Sequence, residues 1–460
     1  MPILRLENLL SAFFFMPIPV VVGAIGPRLI SRSGLAGALL SLMALVSGCG
    51  GDTAETKSGP PAKTAKTVTA STESAVPEPL KVSVFLEYSG GMKGFVPRGG
   101  ADTPPTEFQQ RIGALITETQ VSGAVAERKY YLCENAAPQA VKFEQLRDVV
   151  QGEVSQAALG TELPQMLEGI LSRPGAGQEV SVVISDFIYG PARKSDFSQL
   201  PNLIRTSIAP VSRQQLAVAV FGEASKFYGT YHPAVKTPTP KRTLSGEKVP
   251  YYVWVIGPPA QVARFAAEVF KNAPAQQAFY GLQMPAPAAA PLLTKLTDPK
   301  LKPSGGTVYV EDNGLTVNAS DDPVDFSLGL NLANLPGAWQ QPAFLAQHLQ
   351  VRLPNGKATL LPNSVRALTD EEQAGQPVLV PYTHVVRLRI SQLAAPTATL
   401  ALALPAPETP DWVAAWATTN DNTPAPRTFG LDQLLSGVRL SYPAQLPPVF
   451  TVQLPLKNDK

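Results

Sequence analysis

The sequence predicts an α/β domain, a mostly parallel sheet with helices on both faces, followed by a β-rich, sandwich-like domain. Three observations predict it. Between residues 80 and 275, short runs of Val, Ile, Leu, Phe and Tyr alternate with helical apolar patterns, the signature of βαβ units. Two of those runs, 82–86 and 180–184, are apolar almost throughout, as strands covered on both faces require. From residue 307 onward, short strand-like runs are separated by turn signals such as Asp312-Asn313-Gly314 and Pro354-Asn355-Gly356.

In chain order, the first-half strands are expected at 82–87, 129–134, 180–186, 216–222 and 251–257, each bounded by Gly, Ser, Asn or Pro. Between them, Phe108, Ile112, Leu115, Ile116 and Thr119 share one helical face. Leu163, Met166, Leu167, Ile170 and Leu171 recur at helical spacing, and Val262, Phe265, Ala266, Val269 and Phe270 repeat the same offsets. The stretch 225–252 sets Phe227, Tyr228, Tyr231, His232, Tyr251 and Tyr252 beside Lys226, Lys236, Lys241, Arg242 and Lys248. It reads either as a binding rim or as a long loop with its aromatics tucked beneath, the second being preferred. Residues 276–306, rich in Ala, Pro and Gln, read as a linker to a domain spanning 307–460. Strands follow at 307–311, 315–317, 326–330, 349–353, 385–390 and 399–403. Trp412, Trp416, Phe429, Leu431, Leu434, Leu435 and Val438 then form one or two helices before a last strand at 449–454. Trp412 and Trp416, one helical turn apart, read as core.

The chain of 460 residues has room for two or three domains at roughly 100–200 residues each. Its hydrophobic share of 44% suffices for a sizeable core, while charged residues make up only 16%. A formal net charge of +2 supplies no basic footprint, so no nucleic-acid partner is expected.

The N-terminal residues read as an address. Residues 34–51 are uncharged and largely apolar and follow Arg28 and Arg32, the layout of a basic n-region and an apolar h-region. The segment falls short of the ~20 residues that a spanning helix needs. It ends in Leu45-Val46-Ser47-Gly48-Cys49, which resembles the lipobox of bacterial lipoprotein signal peptides. The resemblance implies that Cys49 is lipidated and becomes the mature N-terminus. It also implies multiple acylation and stable anchoring to the inner or outer membrane of the cell envelope. Residues 8–27 are likewise apolar, interrupted by Pro17 and Pro19. They read as an extra membrane segment or, by preference, as sequence upstream of the true start, because a signal peptide beginning near Arg28 is complete in itself. Residues 1–49 are thus the signal region. Residues 50–79, with no aromatic, Leu, Ile or Met, cannot bury enough apolar surface to fold, and form a tether with an end-to-end distance of about 30 Å. With Cys49 acylated, Cys133 is left without a disulfide partner and reads as a small buried hydrophobe.

The first strand ends in Glu87-Tyr88-Ser89-Gly90-Gly91, a later helix opens with Gly160-Thr161-Glu162, and the strand after it ends in Ser185-Asp186. This order resembles the von Willebrand factor A domain over roughly residues 80–275. There a D-x-S-x-S turn, a Thr from a later loop and an Asp after the following strand surround a divalent metal. Ser89, Thr161 and Asp186 match residue for residue, whereas Glu87 replaces an Asp and Gly91 replaces the second Ser. The resemblance implies a ligand-binding site at Ser89, Thr161, Asp186 and Glu87 and, were a metal such as Mg²⁺ held, ligation by Ser89, Thr161 and Asp186. Because Glu is one methylene longer and Gly91 supplies no oxygen, the expectation is a retained fold without cofactor. Taken one at a time, Ser89 also reads as a turn residue, Thr161 as a helix N-cap and Asp186 as a strand-end cap.

No G-x-x-x-x-G-K-[ST], H-E-x-x-H or G-x-S-x-G motif is present, and His232, His348 and His384 lie far apart without metal-ligand spacing. The expected function is therefore non-enzymatic. It is a membrane-anchored lipoprotein that binds or scaffolds an envelope protein through the loops around Ser89, Thr161 and Asp186. The alternative is a hydrolase of an envelope polymer using Ser89, with His232 as base, or Asp186. A purely structural sheet top, filled by its own side chains, is a third possibility.

Overall fold

The computed structural model describes residues 78–99, 104–134, 137–153, 162–190, 197–311, 314–320, 322–422 and 427–459. Cys49, the signal region, most of the tether and Thr161 lie outside the described residues.

Strand β1 (Leu80–Glu87) is an interior strand of a seven-stranded sheet. Its alternation sends Val82, Val84 and Leu86 into one apolar cluster and Phe85 into another on the opposite face, so both sides are covered. β2 (Val125–Glu134) and β4 (Val180–Ser185) pair with it in parallel, one on each side. Parallel pairing requires a crossover, and helix α1 (Glu107–Val121) supplies the one from β1 to β2. It opens on a capping box, in which Thr106 Oγ1 accepts from the Gln109 amide (3.1 Å) and Gln109 Oε1 from the Thr106 amide (3.0 Å). Its buried residues are Phe108, Ile112, Leu115, Ile116 and Thr119, the face that periodicity predicts. Between β2 and β4 come the edge strand β3 (Ala137–Val141) and helices α2 (Phe143–Val150) and α3 (Leu163–Leu171). α1 and α2 cover one face and α3 the other.

The expectation of an α/β sheet with further β-rich structure is met at that level, but the sheet is not mostly parallel. Beyond β4 it continues through β6 (Arg242–Gly257), β5 (Ala217–Tyr231) and β7 (Gln276–Tyr280), all antiparallel to their neighbours. The physical reason lies in the 225–252 stretch. Phe227, Tyr231, Leu244 and Val249 are buried along the strands, so the stretch extends β5 and β6 into a long hairpin instead of looping out. A hairpin joins its strands antiparallel, where a helical crossover would have joined them parallel. β7 occupies the start of the expected linker and forms the sheet edge.

Later strands build two larger sheets, besides a two-stranded one of Ala417–Thr418 with Thr428–Phe429. One has the spatial order Thr307–Glu311, Gly314–Asn318, Phe450–Asn458, Thr397–Leu404, Gln350–Arg352. The other has Gly356–Leu360, His384–Leu393, Val324–Leu330, Ala289–Leu292. Their apolar faces, including Val317, Phe326, Leu328, Leu388, Leu402 and Leu454, share one cluster with a face of the seven-stranded sheet, and the described residues lie in one compact unit. The chain then returns to the first sheet. Val413, Leu431, Leu434, Leu435 and Val438 join the cluster formed by α3 and by helix α4 (Leu200–Ser207), on the face opposite α1.

Candidate functional site

β1 and β4 are parallel neighbours, so both end at the same edge of the sheet, where strand ends of α/β sheets commonly present ligand sites. The β1–β2 ladder carries on for one step past Glu87, with the Tyr88 amide donating to Cys133 O (2.9 Å). The loop Ser89–Gly91 follows, closed by a 3₁₀ turn at Met92–Phe95. Phe95 anchors that turn among Phe108, Phe227 and Tyr251, at ring distances of 5.2, 5.0 and 5.9 Å.

At the end of β4, Ser185 Oγ donates to Glu87 Oε2 on the neighbouring strand and accepts the amide of Phe187 (2.8 Å). Asp186 Oδ1 accepts the Ile188 amide (2.9 Å), a local turn that fixes the carboxylate. Phe187 has a φ of 52°, in the left-handed region that bulky residues avoid. It is held there by burial and by stacking on Trp254 at 4.5 Å. Such a turn re-aims the chain directly beneath Asp186.

The two loops meet at Gly91. A Cβ built there would lie 3.4 Å from Asp186 Oδ2 and 3.4 Å from Ser89 Oγ. Glu87, Ser89 and Asp186 are 7%, 4% and 7% exposed, and a cavity of about 10 Å³, room for roughly one water, lies against Glu87, Ser89 and Met92. Burial raises the Asp186 carboxyl well above the ordinary aspartate value; the nearby charges of Glu87 and then Asp421 add to this, against the Ile188 amide. Cys133 is buried and its thiol is pushed up to about 12, first by burial and then by the Glu87 charge, which makes it inert.

The structure thus gathers Glu87, Ser89 and Asp186, and adds residues that sequence reasoning missed. Ser185 was read only as the residue before Asp186. Asp421 (3% exposed) comes from the far C-terminal part and accepts from the Tyr231 hydroxyl (3.4 Å). Its only sequence signal is the turn-forming run Asn420-Asp421-Asn422. Of the aromatics read as rim or tucked, Phe227, Tyr231, Tyr251 and Tyr252 are buried and His232 is exposed. His384 bonds Thr383 Oγ1 (2.8 Å) and Gln340 O (2.7 Å), and His348 bonds Phe344 O (2.8 Å). Among the described residues, no hydrogen bond links Ser89 to a histidine.

Mg²⁺ wants near-octahedral oxygen donors, and Thr161, the third expected ligand, lies outside the described residues. Ser89 and Asp186 contribute two converging oxygens, position 91 contributes none, and Glu87 already accepts from Ser185. No family model, curated protein or solved structure matches this chain.

Proposed function

We propose that this chain is an exported lipoprotein, anchored through Cys49, whose von Willebrand A-like sheet top binds an envelope protein without catalysis and without a metal. The observation that carries the reading is the convergence of Ser89 Oγ and Asp186 Oδ2 on Gly91 from the ends of adjacent parallel strands. That juxtaposition is what the order Ser89…Asp186 implies through the family resemblance, and it sets a hydroxyl and a carboxyl together in one loop cluster. The anchor rests on the run Leu45–Cys49 behind an uncharged apolar segment.

A photoreactive residue placed at the exposed Lys93, beside the Ser89 loop, tests the binding site in the native envelope. Val121, which is 68% exposed at the end of α1, serves as the control position. One crosslinked species from position 93 that disappears with Asp186→Ala is expected. The same species from position 121, or none from 93, overturns the reading. For the anchor, palmitate labelling must disappear with Cys49→Ser.

A second reading, a hydrolase of an envelope polymer, draws support from Asp186. A carboxyl that keeps its proton is in the form a general acid needs. Release of soluble fragments from purified cell-wall sacculi, abolished by Asp186→Asn, would replace the binding reading with this one.

A further inference from the structure

We propose that the turn Asn420–Asn422 is a latch that holds the β5–β6 tip against the Asp186 loop, so that the strand-end site opens when the turn lets go. This inference rests on the reading of the strand-end loops as the binding surface, and supplies the regulation of that surface.

The tip, residues 232–241, projects beyond the sheet where β5 and β6 run past the end of β4. The turn grips its main chain. Asp421 Oδ2 accepts from the Ala234 amide (2.7 Å) and Oδ1 from the Val235 amide (3.1 Å). Asn422 Nδ2 donates to the carbonyls of Val235 (2.5 Å), Thr237 (3.1 Å) and Thr239 (3.2 Å), and Arg242 donates back to Asn422 O. Asp421 and Asn422 are buried, and the turn is internally braced by Asn420 Oδ1, which accepts the Asn422 amide (3.0 Å). On its other side the tip rests on the segment following Asp186. A Cβ built on Gly190 would lie 3.8 Å from Ala234 Cα and 4.0 Å from Lys236 Nζ.

What distinguishes a latch from permanent core is the kind of bond. Pro233 is buried at the base of the tip, but residues 236–240 are exposed and contribute nothing to the apolar clusters, so the outer tip is held by hydrogen bonds to one turn. Each such bond is worth little net against water, and segments held this way are the first to open locally. The Asp186 loop carries the left-handed Phe187, and the site beside it is closed, with Ser89 and Asp186 both buried. Lifting the tip frees the Asp186 loop at Gly190 without disturbing the sheet.

Hydrogen exchange on the full-length chain in detergent tests this. Asn422→Ala removes a side chain that serves three carbonyls, and local opening is expected to rise about tenfold or more. Faster exchange should appear at the Ala234 and Val235 amides and also at Ile188–Gly190, while amides of 82–86 and 180–184 stay protected. Acceleration confined to the tip overturns the latch. Should the core amides accelerate too, the paired substitution Gly190→Cys with Ala234→Cys decides, since the tip–loop contact suits a disulfide. Oxidation must slow exchange at Ile188–Gly190 and reductant must restore it; no difference overturns the proposal. Failure of the binding reading shows separately, as an absent position-93 crosslink in both the native chain and Asn422→Ala.

Discussion

Ser185 ties the two strand ends together, donating its hydroxyl to Glu87 and accepting the amide of Phe187. One small side chain thereby serves a buried carboxylate and the left-handed turn that aims Asp186. Ser185→Ala keeps the volume nearly unchanged and removes both bonds. Hydrogen bonds to charged groups contribute about 1.5–3 kcal/mol, and a loss of that size is expected in urea unfolding. An unchanged midpoint would mean that the pairing adds nothing to stability.

Asp186 has the opposite character, a carboxyl that its site disfavours in the charged form. Burial comes first among the causes, then the charges of Glu87 and Asp421. Below about pH 3.9, the value of an unfolded aspartate, both states hold the proton. As pH rises from there to the elevated folded value, the unfolded chain releases its proton and the folded chain does not. The stability associated with Asp186 is therefore full at low pH and lost on that rise. Asp186→Asn keeps an acceptor for the Ile188 amide and removes the charge. It should unfold like the native chain in acid and become the more stable of the two as pH rises. In the native chain, Glu87→Gln should lower the Asp186 titration followed by carboxyl carbon resonances. A titration that does not move would detach Glu87 from the site.

A hydroxyl can be introduced at position 91. Gly91 has an ordinary helical φ of −63°, and a Cβ there meets its neighbours at ordinary contact distance. A serine is therefore accommodated, its hydroxyl entering the space between Ser89 and Asp186. Glu87→Asp with Gly91→Ser should show saturable Mn²⁺ binding by calorimetry, with little or no heat from the native chain. Equal saturable binding by both would contradict the metal-free reading.

How much of this was legible depends on the range of the interaction that decides it. The faces of α1 and α3 and the apolar strand β1 are local patterns, and Phe108, Ile112 and Leu167 are buried as their spacing implies. Ser89 and Asp186 were legible as a pair only through the resemblance of their order to the von Willebrand factor A domain; the strands they follow pair directly. The direction of β5 and β6 was not, since alternation marks a strand but not its neighbour's orientation. Asp421 was invisible for a plainer reason. It lies 190 residues from Tyr231 in sequence, and its place depends on the C-terminal chain returning to the first sheet.

That return hinges on one close helix contact. In the helix Leu431–Arg439, Gly437 faces α4, and a Cβ there would lie 2.7 Å from Pro201 O and 2.8 Å from Ile204 Cβ. Neither neighbour is the far end of a flexible side chain, so the helices must separate to admit a methyl. Within an exposed helix, Gly→Ala is favourable by about 1 kcal/mol, whereas overpacking a tight contact costs about 1–3 kcal/mol. Gly437→Ala therefore reports which effect governs the position. If the helix docks as described, the variant is destabilised in urea unfolding, and amides of Leu434–Val438 lose protection. A stabilised variant would place this helix away from α4, and with it would go the path that brings Asp421 to the strand ends.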